Sequence, residues 1–303
     1  MTAKPKDLPM LDGVSASMIY LEKMDAVVQP KRLFDFLCQK FAHIAVDEWR
    51  QRFVDGLVFW DDGVPVCIDD EYDYGRTIYY YRFLKHEIIV PFSHEIIFEN
   101  QELMVVDKPH FLTITPSGQY VQQTLLTRLK KDSGNSKLSP IHRLDKETAG
   151  LILISKNPAT RGLYQSLFKS QNIKKIYHAI APVRHDLMFP LDLHLHLVRK
   201  EPFYTMKVAD GTPNSHTHIT HLQTRGDWAK YELYPTTGKL HQLRVYLSHL
   251  GIPIKNDPYY PTVRHKAPDD FGSPLQLLAK SLSFIDPITG ELMAFESKRQ
   301  LEF

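Results

Sequence analysis

The chain has 303 residues, 43% hydrophobic and 24% charged, with 14 Gly and 20 Pro; this supplies a sizeable core and excludes collagen-like, low-complexity and disordered classes. Two cysteines, Cys38 and Cys67, build neither a disulfide framework nor a Cys-rich zinc site, and neither a leader-like apolar run in MTAKPKDLPMLDG nor an 18-residue apolar stretch is present, so a cytoplasmic protein is expected. The net charge of +2 hides an imbalance: residues 1–90 carry eleven Lys/Arg against fifteen Asp/Glu, whereas eleven cations between Val121 and Ile180 face only Asp132, Asp145 and Glu147.

Such a basic stretch is either a solvated face or a surface that draws a nucleic-acid backbone. In chain order, residues 1–29 read as an N-terminal extension. Leu33, Phe34, Leu37 and Phe41, then Trp49, Phe53 and Leu57, recur at helical spacing. Asp61-Asp62-Gly63 reads as a turn into a strand VPVCI, and Gly75 as a turn before TIYYYRF. A helix, helix, β-hairpin domain over residues 30–90 is expected, bounded near Pro91.

Residues 91–303 form a second domain of short β-rich runs: EIIFE, ELMVVD, GLILIS, KIYHAIA, HTHITHLQ, AKYELYP and QLLAKSLSFID. This spacing predicts an α+β fold with a mixed, mostly antiparallel sheet. Asn157-Pro158 reads as an N-cap followed by Pro at the first helical position, and Leu163, Tyr164, Leu167 and Phe168 give the stripe that covers strand Leu151–Ser155. HQLRVYLSHLG suits a strand or a helix; Leu243, Leu247 and Leu250, ended by Gly251, favour the helix.

The chemistry concentrates in IHRLDKETAGLILISK. Asp145 stands in a loop at the edge of a sheet, where an aspartate is ordinarily ionised and serves as a cap, a turn former or a functional group. Arg143, Lys146 and a sequence-distant Arg would favour its charged form, which suits a nucleophile or base and not a general acid. Tyr177 lies mid-strand, opposite in facing to Ile176 and His178, so its ring stands on one side of the sheet. TGKLHQLRVYL adds Lys239, His241 and Arg244. Alone, a strand Tyr is a packing residue and a helical Arg a surface charge.

Taken together, HRLDKETAG, KKIYHAI and GKLHQLRVYLSHLGIPIKNDPYY resemble, in order and spacing, the RluA-type family of RNA pseudouridine synthases. ELMVVDKPHFLTITPSG looks like the segment that opens that family's catalytic domain, and LQLLAKSLSF like the one that closes its active site. The resemblance covers about residues 95–300. It implies a mostly antiparallel central sheet with the catalytic cleft across its middle. It makes Asp145 the essential aspartate, Tyr177 the ring that stacks on the target base, Arg244 the partner of the aspartate, and Arg143 the residue that enters the RNA helix where the base was removed. His142, Lys146, Lys174, Lys175, Lys239 and His241 are the accompanying expected RNA contacts. The implied partner is structured RNA, large-subunit rRNA or tRNA, acted on by a monomer with no cofactor, metal or membrane. Extrusion of a base costs a few kcal/mol, and stacking on an aromatic ring returns about 1–3 kcal/mol. Whether Asp145 attacks the sugar, attacks the base or removes a ribose proton stays open.

Thr148-Ala149-Gly150 departs from the usual Thr-Ser-Gly, Lys239-Leu240 from Arg-Thr, and Leu278 stands where a His is frequent. The first domain resembles a divergent alpha-L RNA-binding motif, with Ala45-Val46-Asp47 in place of its Ser-Arg pair; Lys31, Arg32, Arg50 and Arg52 are its residual candidates for RNA contact, and a packing or protein-contact role competes. His194 and His196 with His216, His218 and His221 alternate as metal ligands do on a strand, but no Cys or paired carboxylate accompanies them, so a polar sheet face or a variable insertion is expected. Two further readings are a noncatalytic RNA-binding or assembly protein, and a retaining hydrolase with Glu147 as the second carboxylate about 5 Å from the first.

Overall fold

The computed structural model describes residues 8–25, 29–82, 84 and 86–303. The first seven residues and Ala26–Val28 of the expected extension, and Phe83 of TIYYYRF, lie outside them. The chain divides into two compact units, Met1–Glu87 with Thr127–Ser136, and Ile88–Leu126 with Lys137–Phe303.

In the first unit, β1 (Ser17–Tyr20) precedes α1 (Leu33–Lys40), α2 (Val46–Val54), β2 (Val58–Trp60) and β3 (Thr77–Tyr80). The helices bury the expected stripe, with Leu33, Leu37 and Trp49 wholly inside a core that also takes Leu21, Val58 and Ile78. Leu57 falls beyond α2, which stops at Val54 before Gly56 at φ +63°. The expected VPVCI strand does not form. Pro65 lacks the N–H a ladder needs, and it makes only an isolated bridge to Phe59. The Asp70 carboxylate then accepts from the Cys67 N–H at 2.9 Å and the Trp60 indole at 3.1 Å, which turns the chain away. The partner of β2 is instead β3, in a three-stranded order β1-β3-β2 completed by a strand from the stretch read as an extension. Arg32 is engaged by Asp35 and Asp69, and Arg52 is buried with its guanidinium 4.6 Å from the Trp49 ring.

In the second unit, β4 (Glu95–Glu99) and β5 (Leu103–Lys108) come before α3 (Leu125–Ser133), most of which is assigned to the first unit. There follow β6 (Ser139–Pro140), β7 (Ala149–Ser155), α4 (Arg161–Lys169), β8 (Ile173–Pro182), β9 (Leu191–Leu195), β10 (Leu197–Lys200), β11 (Thr205–Val208), β12 (Ser215–Arg225), β13 (Trp228–Pro235), α5 (Gln242–His249), β14 (Leu277–Ile285) and β15 (Leu292–Glu296). Ten strands form one sheet in the order β4-β5-β7-β14-β8-β13-β12-β9, with β15 on β14 and β6 on β7. Among the pairs of named strands in the described residues, only β14 with β7 is parallel, so the α+β, mostly antiparallel expectation holds.

All seven residues of β7 are buried, as a strand covered on both faces requires. One cluster, including Leu103, Leu151, Leu153 and Ile173, packs under α4 through Tyr164. A second joins Ala179, Ile219, Tyr231 and Leu233 of β8, β12 and β13 to Leu243 and Leu247 of α5. HQLRVYLSHLG is thus a helix, and its chain reverses at Gly251 with φ +75°. The two clusters leave the middle of the sheet, where β7, β14 and β8 adjoin, as the floor of a cleft.

Candidate active site

The cleft is a cavity of about 540 Å³. Asp145 reaches it from the loop before β7, and that loop is fastened on several sides. Lys108, wholly buried at the end of β5, donates from Nζ to the carbonyls of Pro109 (2.9 Å), Leu112 (2.8 Å) and Lys146 (3.2 Å). Burial pushes that amine down to about 7. The His110 Nδ1 donates to the Glu147 carbonyl at 2.7 Å. At the loop's exit Gly150 has φ +109°, and a Cβ there would lie 2.3 Å from the Ala279 carbonyl oxygen of the parallel neighbour, so only glycine lets β7 and β14 approach at this point.

Opposite the loop, α5 aims Arg244 inward. Its side chain is 1% exposed, and Nη1 donates to Asp145 Oδ2 at 3.1 Å. Its remaining reach is spent on Asp257, with Nε at 2.8 Å and Nη2 at 2.7 Å from the two carboxylate oxygens. Asp257 also accepts the backbone N–H groups of Tyr259 and Tyr260, whose rings lie under the guanidinium at 4.8 and 5.5 Å. This buried, bidentate geometry fixes the cation far more firmly than a surface pair would.

Burial alone would raise the Asp145 carboxyl, but the charges of His241, Arg244 and Arg143 and the Arg244 hydrogen bond outweigh it and hold the group below the usual carboxylate range. His241 Nε2 lies 3.6 Å from Asp145 Oδ2, yet burial pushes this imidazole down to about 4. At neutral pH Arg244 is therefore the partner that keeps Asp145 ionised. Tyr177 lines the same cavity, its phenol held protonated by burial and by the Asp145 charge.

Of the sequence-predicted residues, the cavity wall brings together Asp145, Tyr177, Arg244, Arg143, His142, Lys175, Lys239 and His241. His142 contributes its ring while Nε2 accepts the Leu153 N–H at 3.1 Å, with Phe168 stacked at 4.4 Å. Lys175 donates to the Thr237 carbonyl at 3.1 Å, and burial lowers its amine to about 8. Lys146 and Lys174 are not in the wall. The Lys146 amine meets the Tyr120 hydroxyl at 3.0 Å, and Lys174 falls on the other face of β8 from Lys175 by strand alternation. Nor does Glu147 line the cavity, so the second carboxylate of a hydrolase is not supplied there. The basic run between Val121 and Ile180 is dispersed: Lys156 is held by Glu99, Arg161 by Ser155 and the Lys137 carbonyl, and Lys131 by Asp12. Sequence reasoning missed Asp257 and Lys108; the Asp-Pro-Tyr-Tyr that follows the helix was the available signal for the first.

Residues 102–249 match the model of the family described as RNA pseudouridylate synthase. An uncharacterized RNA pseudouridine synthase of Synechocystis sp. is 28% identical over 235 residues, 75% of this chain and 79% of the relative. The ribosomal large subunit pseudouridine synthase D of Neisseria meningitidis serogroup B is 30% identical over 224 residues, which is 68% of this chain but 58% of that longer protein. Human RNA Pseudouridylate Synthase Domain Containing 1 shares the fold, with a TM-score of 0.55 at 23% identity over 68% of this chain and 84% of that one.

Sheet and sequence are similar to those of RNA pseudouridine synthases, over much of the stretch that carries the RluA-type resemblance.

Proposed function

We propose that this chain converts specific uridines of structured RNA to pseudouridine, with Asp145 as the essential carboxylate, Arg244 as the cation that keeps it charged, and Tyr177 as the platform for the extruded base. The supporting observation is the ionised Asp145 in the cavity wall, 3.1 Å from an Arg244 that Asp257 clamps. In the reaction the C1′–N1 bond breaks, the held base turns, and a C1′–C5 bond forms; C5 loses a proton and N1 ends protonated, so mass is unchanged. Arg143, Lys169 and Lys239 are exposed at the cavity, where they suit phosphates flanking the target. RNA of the ribosomal large subunit, the particle in the neisserial relative's name, is the proposed substrate class, with tRNA as the competing outcome.

The acting form is proposed to be a monomer. Cys38 and Cys67 are free thiols, in keeping with a cytoplasmic setting, and no helix among the described residues is long and apolar enough to cross a membrane. For the N-terminal unit, residues 30–90 above all, a packing or protein-contact role is favoured over phosphate binding, because Arg32 is occupied by two carboxylates and Arg52 is buried.

The test is incubation of the full chain with rRNA and tRNA transcripts, followed by pseudouridine-specific chemical derivatisation. Wild type is expected to mark a defined uridine, and Asp145→Asn to lower the rate by at least about 10³-fold, the scale of removing a central acid, base or nucleophile. Undiminished conversion by that variant sinks the assignment of Asp145, and binding without conversion by wild type supports a noncatalytic assembly protein instead.

A further inference from the structure

The histidines that alternate along β9 and β12 do not line the cleft, and their side chains are used by nothing described so far. The two strands are antiparallel, with His216 opposite His194 and His218 opposite Asp192. Alternation sends Leu191, Leu193 and Leu195 into the core and leaves Asp192 and His194 on the outer face beside His216 and His218. The register thus places a carboxylate among the imidazoles, the element the letters lacked.

The geometry is that of a compact donor set. One ligand atom each from Asp192, His194 and His216 lies within 4.8 Å of the others. The His194 and His216 rings stack with centroids 4.1 Å apart and planes 15° from parallel. His216 Nε2 sits 2.5 Å from Asp192 Oδ1, while its Nδ1 meets the Thr236 hydroxyl at 3.0 Å. That second contact is what orients a metal-binding imidazole: with Nδ1 held by Thr236, Nε2 is the nitrogen turned toward the cluster, where it now pairs with Asp192 and would exchange that contact for the ion. His218 Nδ1, 3.9 Å from the same Asp192 oxygen, stands within reach as a fourth donor.

We propose that Asp192, His194 and His216 bind a divalent transition-metal cation, with Zn²⁺ as the best match to two or three imidazoles and one carboxylate. Zinc takes such ligands at about 2.0–2.2 Å in a tetrahedron, which sets ligand atoms about 3.3 Å apart. Small side-chain rotations at these partly exposed positions accomplish this. Asp192 and His216 move apart, the His194 edge closes in, and water or His218 fills the fourth position. The ion would also brace the cleft rim. The His216 N–H donates to Thr237 Oγ1 at 3.0 Å and its carbonyl accepts from Gln242 Nε2 at 2.9 Å, and both partners line the cavity.

The test uses the full chain with any affinity tag removed, stripped with chelator and titrated with Zn²⁺ alone against a chromogenic competitor. One ion per chain is expected, bound at least tenfold more weakly by Asp192→Asn and by His194→Ala and unchanged by His265→Ala, a histidine of an exposed loop elsewhere. Zn²⁺ is also expected to raise the Tm of wild type and not of Asp192→Asn. Absence of stoichiometric binding, or equal binding by wild type and both site variants, overturns the proposal. Pseudouridine formation by metal-free protein is a separate readout, so failure here leaves the isomerase reading untouched.

Discussion

Arg244 gives Asp145 a single hydrogen bond, from Nη1 at 3.1 Å, because Nε and Nη2 are already committed to Asp257. The cation is therefore anchored from behind and presented end-on, so it sets the charge of Asp145 without enclosing it.

That arrangement predicts a specific pH dependence. Burial favours the neutral carboxyl and raises its pKa, while the cations lower it, and the net shift is downward. Wild-type single-turnover rates should be insensitive to Asp145 ionisation from pH 5 to 8, falling only below the ordinary carboxylate range. In Arg244→Met the burial effect is opposed at neutral pH only by the smaller influence of the Arg143 charge, because His241 titrates only at about 4. The acid limb should then move upward, in addition to a loss of rate, whereas Arg244→Lys should lose rate with a smaller move because it keeps the charge without the fork. The sign for stability follows the same way. A carboxyl depressed in the folded state stabilises above its unfolded pKa, and that contribution disappears as pH falls through the folded value. A pH–rate profile of Arg244→Met that superimposes in shape on wild type contradicts the coupling.

Asp257→Asn should be costly although Asp257 never faces the cavity. The amide cannot accept from both guanidinium nitrogens and the two backbone N–H groups of Tyr259 and Tyr260 that the carboxylate serves. Breaking a buried ion pair from one side costs about 3–5 kcal/mol, and a cation displaced by even 1 Å can cost about 10²-fold in rate. The expected outcome is a Tm several degrees lower and kcat down about 10- to 100-fold, with RNA affinity nearly retained. A variant with wild-type kcat shows that Arg244 needs no anchor.

How much of this was legible depends on whether the information was local. The helix Gln242–His249 announced itself through Leu243, Leu247 and the stop at Gly251, and the continuous apolar run of β7 through its burial on both faces. Asp145, Tyr177 and Arg244 were singled out through the family resemblance, since residue type and placement alone left Tyr177 as a packing residue and Arg244 as a surface charge. Lys108 was not, because its three carbonyl partners come from a turn after it and from a loop 38 residues on. The strand expected at VPVCI failed for want of a Pro65 N–H and because the Asp70 side chain competes for the backbone. Asp192 beside the histidines depended on the register of β9 against β12, which nothing within either segment specifies.

Gly150→Ala should damage the site through the sheet. The new Cβ meets the Ala279 carbonyl oxygen at 2.3 Å and its nitrogen at 2.7 Å, both backbone atoms of the parallel neighbour that cannot swing aside. A left-handed backbone with a side chain costs about 1–2 kcal/mol, and overpacking adds about 1–3. A loss of about 3 kcal/mol by denaturant unfolding is expected, with the loop carrying Asp145 displaced and the rate falling more than RNA affinity. Unchanged stability refutes the requirement for close strand approach here.

Tyr177 separates stacking from proton transfer. Burial, and then the neighbouring Asp145 charge, hold its phenol protonated far above neutral pH, which disqualifies it as a base under working conditions. If the ring acts as a platform, its face matters and its hydroxyl does not. Tyr177→Phe should therefore keep kcat/KM within about threefold of wild type. Tyr177→Leu should forfeit the stacking contribution of about 1–3 kcal/mol, or roughly 5- to 150-fold, at a similar packed volume. Measuring both variants on one RNA decides the matter: equal losses in Phe and Leu place the function in the hydroxyl, and equal retention removes Tyr177 from base recognition altogether.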